Sequence, residues 1–298
     1  MNRVREAQPA RLHVFIPGYR NPGLLAETLE ALVRAMGPEL REGEVLATCV
    51  DDASPEPLEP VVHSSGGGWV EYVRNETNLG IIPNFNRCVS LARAPLVMFL
   101  GADDLVLPSY WPAAQAMIAR HPDAGVYAPG VAEVDAGGRR RISLSFLIKR
   151  AISPLLARFR MVELSGSRLA LRLAIGDFLY FPALCWRTED LQRRPFDPAW
   201  SDAADWHRLF VCAMEGRSVV VDNRTKVFLY RRHASSASEV SAGRGVRFGN
   251  ERALSLSMGR LSKEKGWWMA AAMAWLHPTV RLNAWVRRLA GGTFRNGR

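Results

Sequence analysis

Cysteine is scarce and its placement carries no pattern. Cys49, Cys88, Cys185 and Cys212 stand far apart, with neither the close pairs of a zinc site nor the density of a disulfide scaffold. Their apolar surroundings predict buried, reduced thiols in a cytosolic protein. Long apolar runs are also missing. The most apolar stretch, 267–276, is half the ~20 residues that a membrane-spanning helix needs. Residues 1–11 are polar and charged and lack the apolar centre of a secretory leader, so the expected location is cytoplasmic. Lysine supplies only 4 of the 39 basic residues, a bias of GC-rich bacterial coding rather than of function. No internal repeat is visible. Residues 16–24 contain two glycines but no lysine, so the basic, glycine-rich phosphate loop expected of a nucleotidyltransferase is absent.

What is present describes a folded protein. With 48% hydrophobic residues, 23% charged residues and 9 Trp in 298 residues, the chain can bury a sizeable core and is not compositionally disordered. The net charge of +10 is divided unevenly: residues 1–138 carry −7 and residues 139–298 carry +17. An acidic front half argues against a nucleic-acid binder, and no nucleic-acid-binding motif is present. The division suits a cation-binding half joined to a half that meets an anionic lipid or a phosphorylated partner, or simply to a solvated arginine surface.

The front half alternates two periodicities. Strand-like runs at 12–17, 45–50, 69–73, 96–100 and 124–129 are separated by helical patterns, the first opened by Asn21-Pro22 and the later ones covering 83–93 and 108–120. This alternation predicts an α/β fold whose mostly parallel sheet is covered by helices on both faces. In such sheets ligands collect at the carboxyl ends of strands. Residues 138–160 interleave aliphatic and basic side chains and read as a variable insertion or amphipathic segment. Helices are expected over 162–175 and 205–214, strands over 219–222 and 226–231, a Ser/Gly-rich loop over 235–245, and helices from 246 to 290.

The polar clusters fall at strand ends. Cys49-Val50-Asp51-Asp52-Ala53-Ser54 and Phe99-Leu100-Gly101-Ala102-Asp103-Asp104 each close a strand with paired carboxylates. Adjacent carboxylates repel unless a cation is bound, and a divalent ion bridging diphosphate oxygens would relieve them. With Ile16-Pro17-Gly18-Tyr19-Arg20-Asn21, Asn75-Glu76-Thr77-Asn78-Leu79-Gly80 followed by Asn84 and Asn86, Ala204-Asp205-Trp206, and Tyr230-Arg231-Arg232-His233 followed by Ser235, Ser236 and Ser238, the doublets form an ordered series. The series is similar to that of a family 2 glycosyltransferase of the GT-A fold, Rossmann-like, with a C-terminal helical extension here. Two positions depart from the family's pattern. Gly101 stands where the first metal-motif Asp often sits, and Ala204 replaces the Glu before the base.

The resemblance implies an inverting transfer from a nucleoside-diphosphate sugar to an acceptor hydroxyl, assisted by Mn²⁺ or Mg²⁺. It implies that Pro17 and Tyr19 flank the nucleobase, that Asp51 accepts from the base, and that Asn78 belongs to the donor site. Asp103 would meet ribose or metal, Asp104 the metal, and His233 the metal or diphosphate. Asp205 would be the general base, with Asp202 in reserve. His207 reads as a packing residue, and Trp206 and Trp186 as core residues or as platforms for a sugar ring. The implied arrangement is a donor-binding and catalytic domain over 1–240 and a basic helical extension over 241–298, in cell-envelope polysaccharide, glycolipid or secondary-metabolite synthesis. Residues 244–298 carry +9, and Leu282, Trp285, Val286 and Leu289 form an apolar stripe at helical spacing. The stripe fits two accounts: peripheral binding to an anionic membrane carrying a lipid-linked acceptor, or a cap packed on the core. A non-catalytic scaffold on the membrane is the remaining alternative.

Overall fold

Short aliphatic runs set the centre of the sheet. The computed structural model describes residues 9–233, 246–279 and 281. Strands β1 (Leu12–Gly18), β2 (Val45–Asp51), β3 (Val70–Arg74) and β4 (Leu96–Phe99) pair in parallel in the order β3-β2-β1-β4. Beyond β4 lies β9 (Cys185–Arg187), antiparallel to β4 and to β6 (Val126–Val134). Strand β10 (Val219–Arg231) runs parallel to β6, and β5 (Leu105–Val106) closes that edge. The short β7 (Arg140–Arg141) and β8 (Val162–Leu164) pair with β6 and β10. The mostly parallel sheet expected from the alternation is therefore present.

Helices α1 (Pro22–Glu42), α2 (Glu59–Ser65), α3 (Ile81–Ser90) and α4 (Tyr110–Arg120) connect the front strands. Strand β1 alternates across the sheet: Val14 and Ile16 join one buried cluster, and Phe15 joins the other. Both faces are thus dry. Because β1 has β2 on one side and β4 on the other, the chain reverses its winding direction there, and the loops after β1 and β4 diverge to leave a crevice.

Several elements differ from the sequence reading. The helix expected over 162–175 begins only at Gly166 (α6, Gly166–Ile175), because Val162–Leu164 pairs with β10 instead. The two strands expected over 219–231 are one strand with an irregular stretch after Asp222. Helix α1 continues past Met36, where the backbone leaves helical geometry two residues before Pro38, as a proline ring inside a helix requires. Segment 138–160 holds β7, α5 (Leu144–Ile152) and a 3₁₀ turn, with Ile142, Leu147 and Phe159 exposed.

Helices α7 (Thr188–Arg193) and α8 (Ala204–Met214) complete the second face. Helices α9 (Val246–Glu264) and α10 (Trp268–Leu276) pack onto the same core. Leu254 and Met258 of α9 and Ala270 and Ala274 of α10 are buried in one cluster with Leu173 of α6 and Leu209 of α8. The Ser255 hydroxyl donates to the Ala274 carbonyl (2.8 Å), and the Thr279 hydroxyl to that of Ile175 (2.8 Å). The stripe at Leu282, Trp285, Val286 and Leu289 and the loop 235–245 lie outside the described residues.

Candidate active site

At the end of β2 the two carboxylates are satisfied by protein groups. Asp51 has no exposed surface. Its Oδ1 accepts from the Ser54 N–H (2.8 Å), and its Oδ2 from the Tyr72 hydroxyl (2.7 Å), the Arg74 guanidinium (2.7 Å) and the Leu58 N–H (3.2 Å). Burial alone would raise its pKa, but the bonds from Ser54, Tyr72 and Leu58 outweigh burial and hold the carboxyl below the ordinary range. Asp52 accepts from the N–H groups of Leu79 (2.8 Å) and Gly80 (2.9 Å) and from the Asn75 amide (2.9 Å). The expectation that this doublet needs a bound cation is therefore corrected. Each of the two side chains meets its own set of donors. With no exposed surface, Asp51 could meet a nucleobase only if the groups around it opened.

The second doublet is different. Asp104 is almost wholly buried; its Oδ1 accepts from the Arg231 N–H (2.8 Å), while its Oδ2 has no hydrogen-bond partner among the described residues. Burial first, and then the neighbouring Asp103 charge, push its pKa well above the usual carboxylate value. Asp103 Oδ2 lies 2.7 Å from His233 Nε2. Gly101 makes the arrangement possible. A Cβ at that position would lie 2.5 Å from Asp104 Oδ2 and 2.9 Å from Asp103 Oδ1, so both carboxylates converge on the space beside the bare glycine.

That space opens into a cleft of about 510 Å³, bordered by Gly101, Asp103, Asp104, Asp202, Asp205 and Trp206 among others. The fold thus brings Asp103 and Asp104 from the end of β4 together with Asp202 and Asp205, about 100 positions later in the chain. Asp205 lies in the first turn of α8, where the helix dipole favours a carboxylate. The preceding 3₁₀ turn, Pro198–Ala203, holds Ser201 at φ 36°, a conformation costly for a non-glycine residue and concentrated at functional sites. Pro17, Tyr19, Asp51 and Asn78 do not border the cleft. They surround the neighbouring ends of β1 and β2, with Tyr19 exposed beneath the Arg20 guanidinium and the Asn78 amide donating to the Asp52 carbonyl (3.1 Å).

Trp206 donates to the Leu173 carbonyl (3.0 Å), and Trp186 is buried in the core, as packing residues should be. His207 stacks on Trp200 at 5.3 Å. Glu133, Tyr180 and Glu27 carry no local sequence signal. Glu133 accepts from the Arg232 guanidinium (2.7 Å) and the Tyr180 hydroxyl (3.1 Å), and Arg231 reaches Glu27 (2.6 Å). Asn86 of α3 makes a reciprocal pair with Phe196: its amide donates to the Phe196 carbonyl (2.8 Å) and its oxygen accepts from the Phe196 N–H (3.0 Å).

Among the described residues no three His, Cys, Asp or Glu side chains form a closed metal-binding group. A divalent ion held partly by substrate phosphate requires only one or two protein carboxylates. The unpartnered Oδ2 of Asp104 and the converging Oδ1 of Asp103 supply that set.

Solved structures share this architecture. S. aureus TarS 1-349 in complex with UDP-GlcNAc superposes with a TM-score of 0.61 at 19% identity, over 83% of this chain and 66% of that one. The mannosyltransferase PcManGT from Pyrobaculum calidifontis, in complex with GDP-Man and Mn²⁺, gives 0.61 at 18% identity, over 98% and 79%. At these identities the likeness is one of fold. In sequence, the chain is 30% identical over 135 residues to the uncharacterized protein MT1568 of Mycobacterium tuberculosis (strain CDC 1551 / Oshkosh), a match spanning 44% of this chain and 40% of that protein. The profile of Glycosyl transferase family 2 matches residues 13–177, from the first strand through both carboxylate doublets to the end of α6, and the chain belongs to that family.

Proposed function

We propose that the protein transfers a sugar from a nucleoside-diphosphate sugar to an acceptor hydroxyl with inversion at the anomeric carbon. The observation that carries this reading is the single cleft shared by two pairs of carboxylates, one at a strand end and one at a helix start. The complexes of TarS with UDP-GlcNAc and of PcManGT with GDP-Man support a donor of that class. Pro17, Tyr19 and Asn78 form the base and ribose side, with Asp51 holding the loop 54–58 and β3 in place behind them. Asp103, Asp104 and His233 face the diphosphate. A divalent ion, Mn²⁺ or Mg²⁺, held by Asp104 and Asp103 would neutralise the departing nucleoside diphosphate.

Asp205 takes the proton of the acceptor hydroxyl as its oxygen attacks the anomeric carbon and the bond to the diphosphate breaks. One base and one displacement give inversion. Asp202 is the second candidate because it borders the same cleft. Residues 1–240 form the catalytic unit, and 241–298 the helical extension whose described part packs on α6 and on the turn Pro198–Ala203.

The acceptor is lipid-linked or a polysaccharide, presented at the inner face of a plasma membrane. Supporting this is segment 139–160, which holds seven basic residues and no acidic one and exposes Ile142, Leu144, Leu147, Leu156 and Phe159. Such a surface suits an anionic bilayer. No helix among the described residues is long and apolar enough to cross one. A thermal-shift series with UDP-, GDP- and dTDP-sugars, with Mn²⁺ or Mg²⁺, tests the donor assignment. A donor at 100 times its Kd adds about 2.7 kcal/mol; no shift with any donor would refute the reading.

A further inference from the structure

A second cavity, of about 170 Å³, lies behind the cleft and shares Lys149, Leu179 and Tyr180 with it. Its polar wall is made by Arg150, Ser153, Arg158, Asn223 and Lys226. An irregularity in β10 builds that wall. Residues 223–225 loop out between the pairs Asp222–Pro129 and Lys226–Gly130, with a further register shift before Phe228. A bulge of this kind redirects side chains and is common beside functional sites. Gly130 is its counterpart on β6, where any Cβ would collide with the Thr225 carbonyl. The looped-out Asn223 amide then donates to the Ser153 hydroxyl (3.0 Å), tying the bulge to the end of α5.

The charges around this cavity are not balanced. Among the described residues no carboxylate is ion-paired with Arg150, Arg158 or Lys226. The Arg158 guanidinium donates to the Arg150 carbonyl (2.8 Å), which anchors it at the end of α5, and the charges of both arginines act on Lys226. Lys149 is already neutralised by Asp177 (2.5 Å), and Asp222, the acid that acts on Lys226, is paired with Arg224 (2.6 Å). Burial, then the Arg150 and Arg158 charges, lower the Lys226 pKa below its ordinary value. Three cations whose nearest acid, Asp222, is already paired with Arg224 leave a site whose cost is relieved by a multiply charged anion; a single carboxylate would leave net repulsion.

We infer that the cavity between α5 and the β10 bulge binds a phosphate group, carried by the acceptor. Phosphate oxygens match guanidinium and ammonium donors in number and charge, and the shared wall at Lys149 and Tyr180 places the group next to the cleft. Assigning the phosphate to the acceptor rests on the transfer reading; the binding itself does not.

Isothermal titration of the full chain with inorganic pyrophosphate, in EDTA to silence the Asp103–Asp104 side, tests the site. Binding is expected. It should weaken at least tenfold in Arg158→Gln/Lys226→Gln, while Lys226→Arg retains it. Unchanged thermal unfolding of the double variant guards against misfolding. No pyrophosphate binding, or equal binding by the double variant, overturns the inference. Titration with UDP and GDP plus Mn²⁺ separates the two readings. Nucleotide binding without pyrophosphate binding sinks the cavity alone; pyrophosphate binding without nucleotide binding keeps the cavity and removes its link to transfer. Vesicles of phosphatidylglycerol identify the source. Sedimentation that pyrophosphate competes away indicates a lipid phosphate, and pyrophosphate binding without sedimentation a soluble one. Sedimentation that pyrophosphate does not affect, with no pyrophosphate binding, overturns the site in favour of a diffuse charged surface.

Discussion

His13 provides a stability prediction that can be worked through from the geometry. It lies on β1 with 1% of its surface exposed. Its Nδ1 accepts from the Arg93 N–H (3.3 Å), which leaves the proton on Nε2 to donate to the Thr48 hydroxyl (2.9 Å). Thr48 donates onward to Glu71 (3.2 Å). A second proton would have to sit on Nδ1, against an N–H. Burial, then the Arg93 charge, lower the pKa from 6.5 to about 4, with Glu71 opposing. The unfolded chain takes up this proton near pH 6.5 and the folded chain only near pH 4. Between those values the unfolded state therefore binds more protons, so stability is complete above pH 6.5 and is lost as pH falls through the window. One pH unit is worth about 1.4 kcal/mol, so moving from pH 7 to pH 5 should cost roughly 2 kcal/mol through this residue. Urea unfolding of the wild type and of His13→Gln at pH 5, 6 and 7 measures it. Other groups cancel in the difference between the two proteins. The variant should be less stable at pH 7 yet show a pH slope shallower by that amount. Parallel pH curves for the two proteins would refute the buried neutral imidazole.

Four substitutions address the site. Asp104→Asn should stabilise the metal-free protein at pH 7, because burial and Asp103 penalise the charged form there, yet remove the stabilisation by Mn²⁺ and most activity; a preserved Mn²⁺ shift argues against the metal assignment. Asp205→Asn should keep donor affinity and lose about 10²–10⁴ in turnover; normal turnover with an inactive Asp202→Asn moves the base to Asp202. Gly101→Ala should reduce Mn²⁺ affinity by forcing the two carboxylates apart, visible as a weaker metal-dependent thermal shift; an unaltered shift means that the carboxylates do not converge as described. Tyr72→Phe removes a bond to buried Asp51 and should cost about 1.5 kcal/mol in chemical unfolding; a neutral result means that Arg74 and the backbone suffice.

Much of the front half was legible because its signals are local. Strands β1, β2 and β4 announce themselves as aliphatic runs closed by polar clusters, and Asn21-Pro22 marks the start of α1. The three-residue β9 was missed because so short a strand has no periodicity, and its place in the sheet comes from β4 and β6 on either side. Val162–Leu164 carries a helical pattern, but pairing with β10 overrides it. The reading of Asp51 and Asp52 failed for a different reason. Electrostatic reasoning from adjacent letters saw two like charges, whereas the fold supplies donors from Tyr72, Arg74, Leu79 and Gly80. At Asp104 the like-charge argument keeps its force, because among the described residues Arg231, 127 positions away, satisfies only one of its oxygens. The α9 and α10 helices were foreseen as helices; what they pack against was not legible, since an apolar stripe looks the same whether it faces a core or a bilayer.

The reciprocal pair between Asn86 and Phe196 has a mechanical consequence. Its amide behaves as a spare peptide unit, stitching the donor-side helix to the segment that leads into Asp202 and Asp205. Neither aspartate nor alanine can replace it, because one cannot donate and the other can do neither. The stitch therefore fixes the segment before the proposed base against α3, and with it the distance of that base from the donor side, without touching either. Reaction rates tolerate little error in such distances: a displacement of ~1 Å can cost on the order of a hundredfold. An enzyme altered only at Asn86 would keep every chemical group it needs and still turn over slowly, as a machine with sound parts and a misaligned frame.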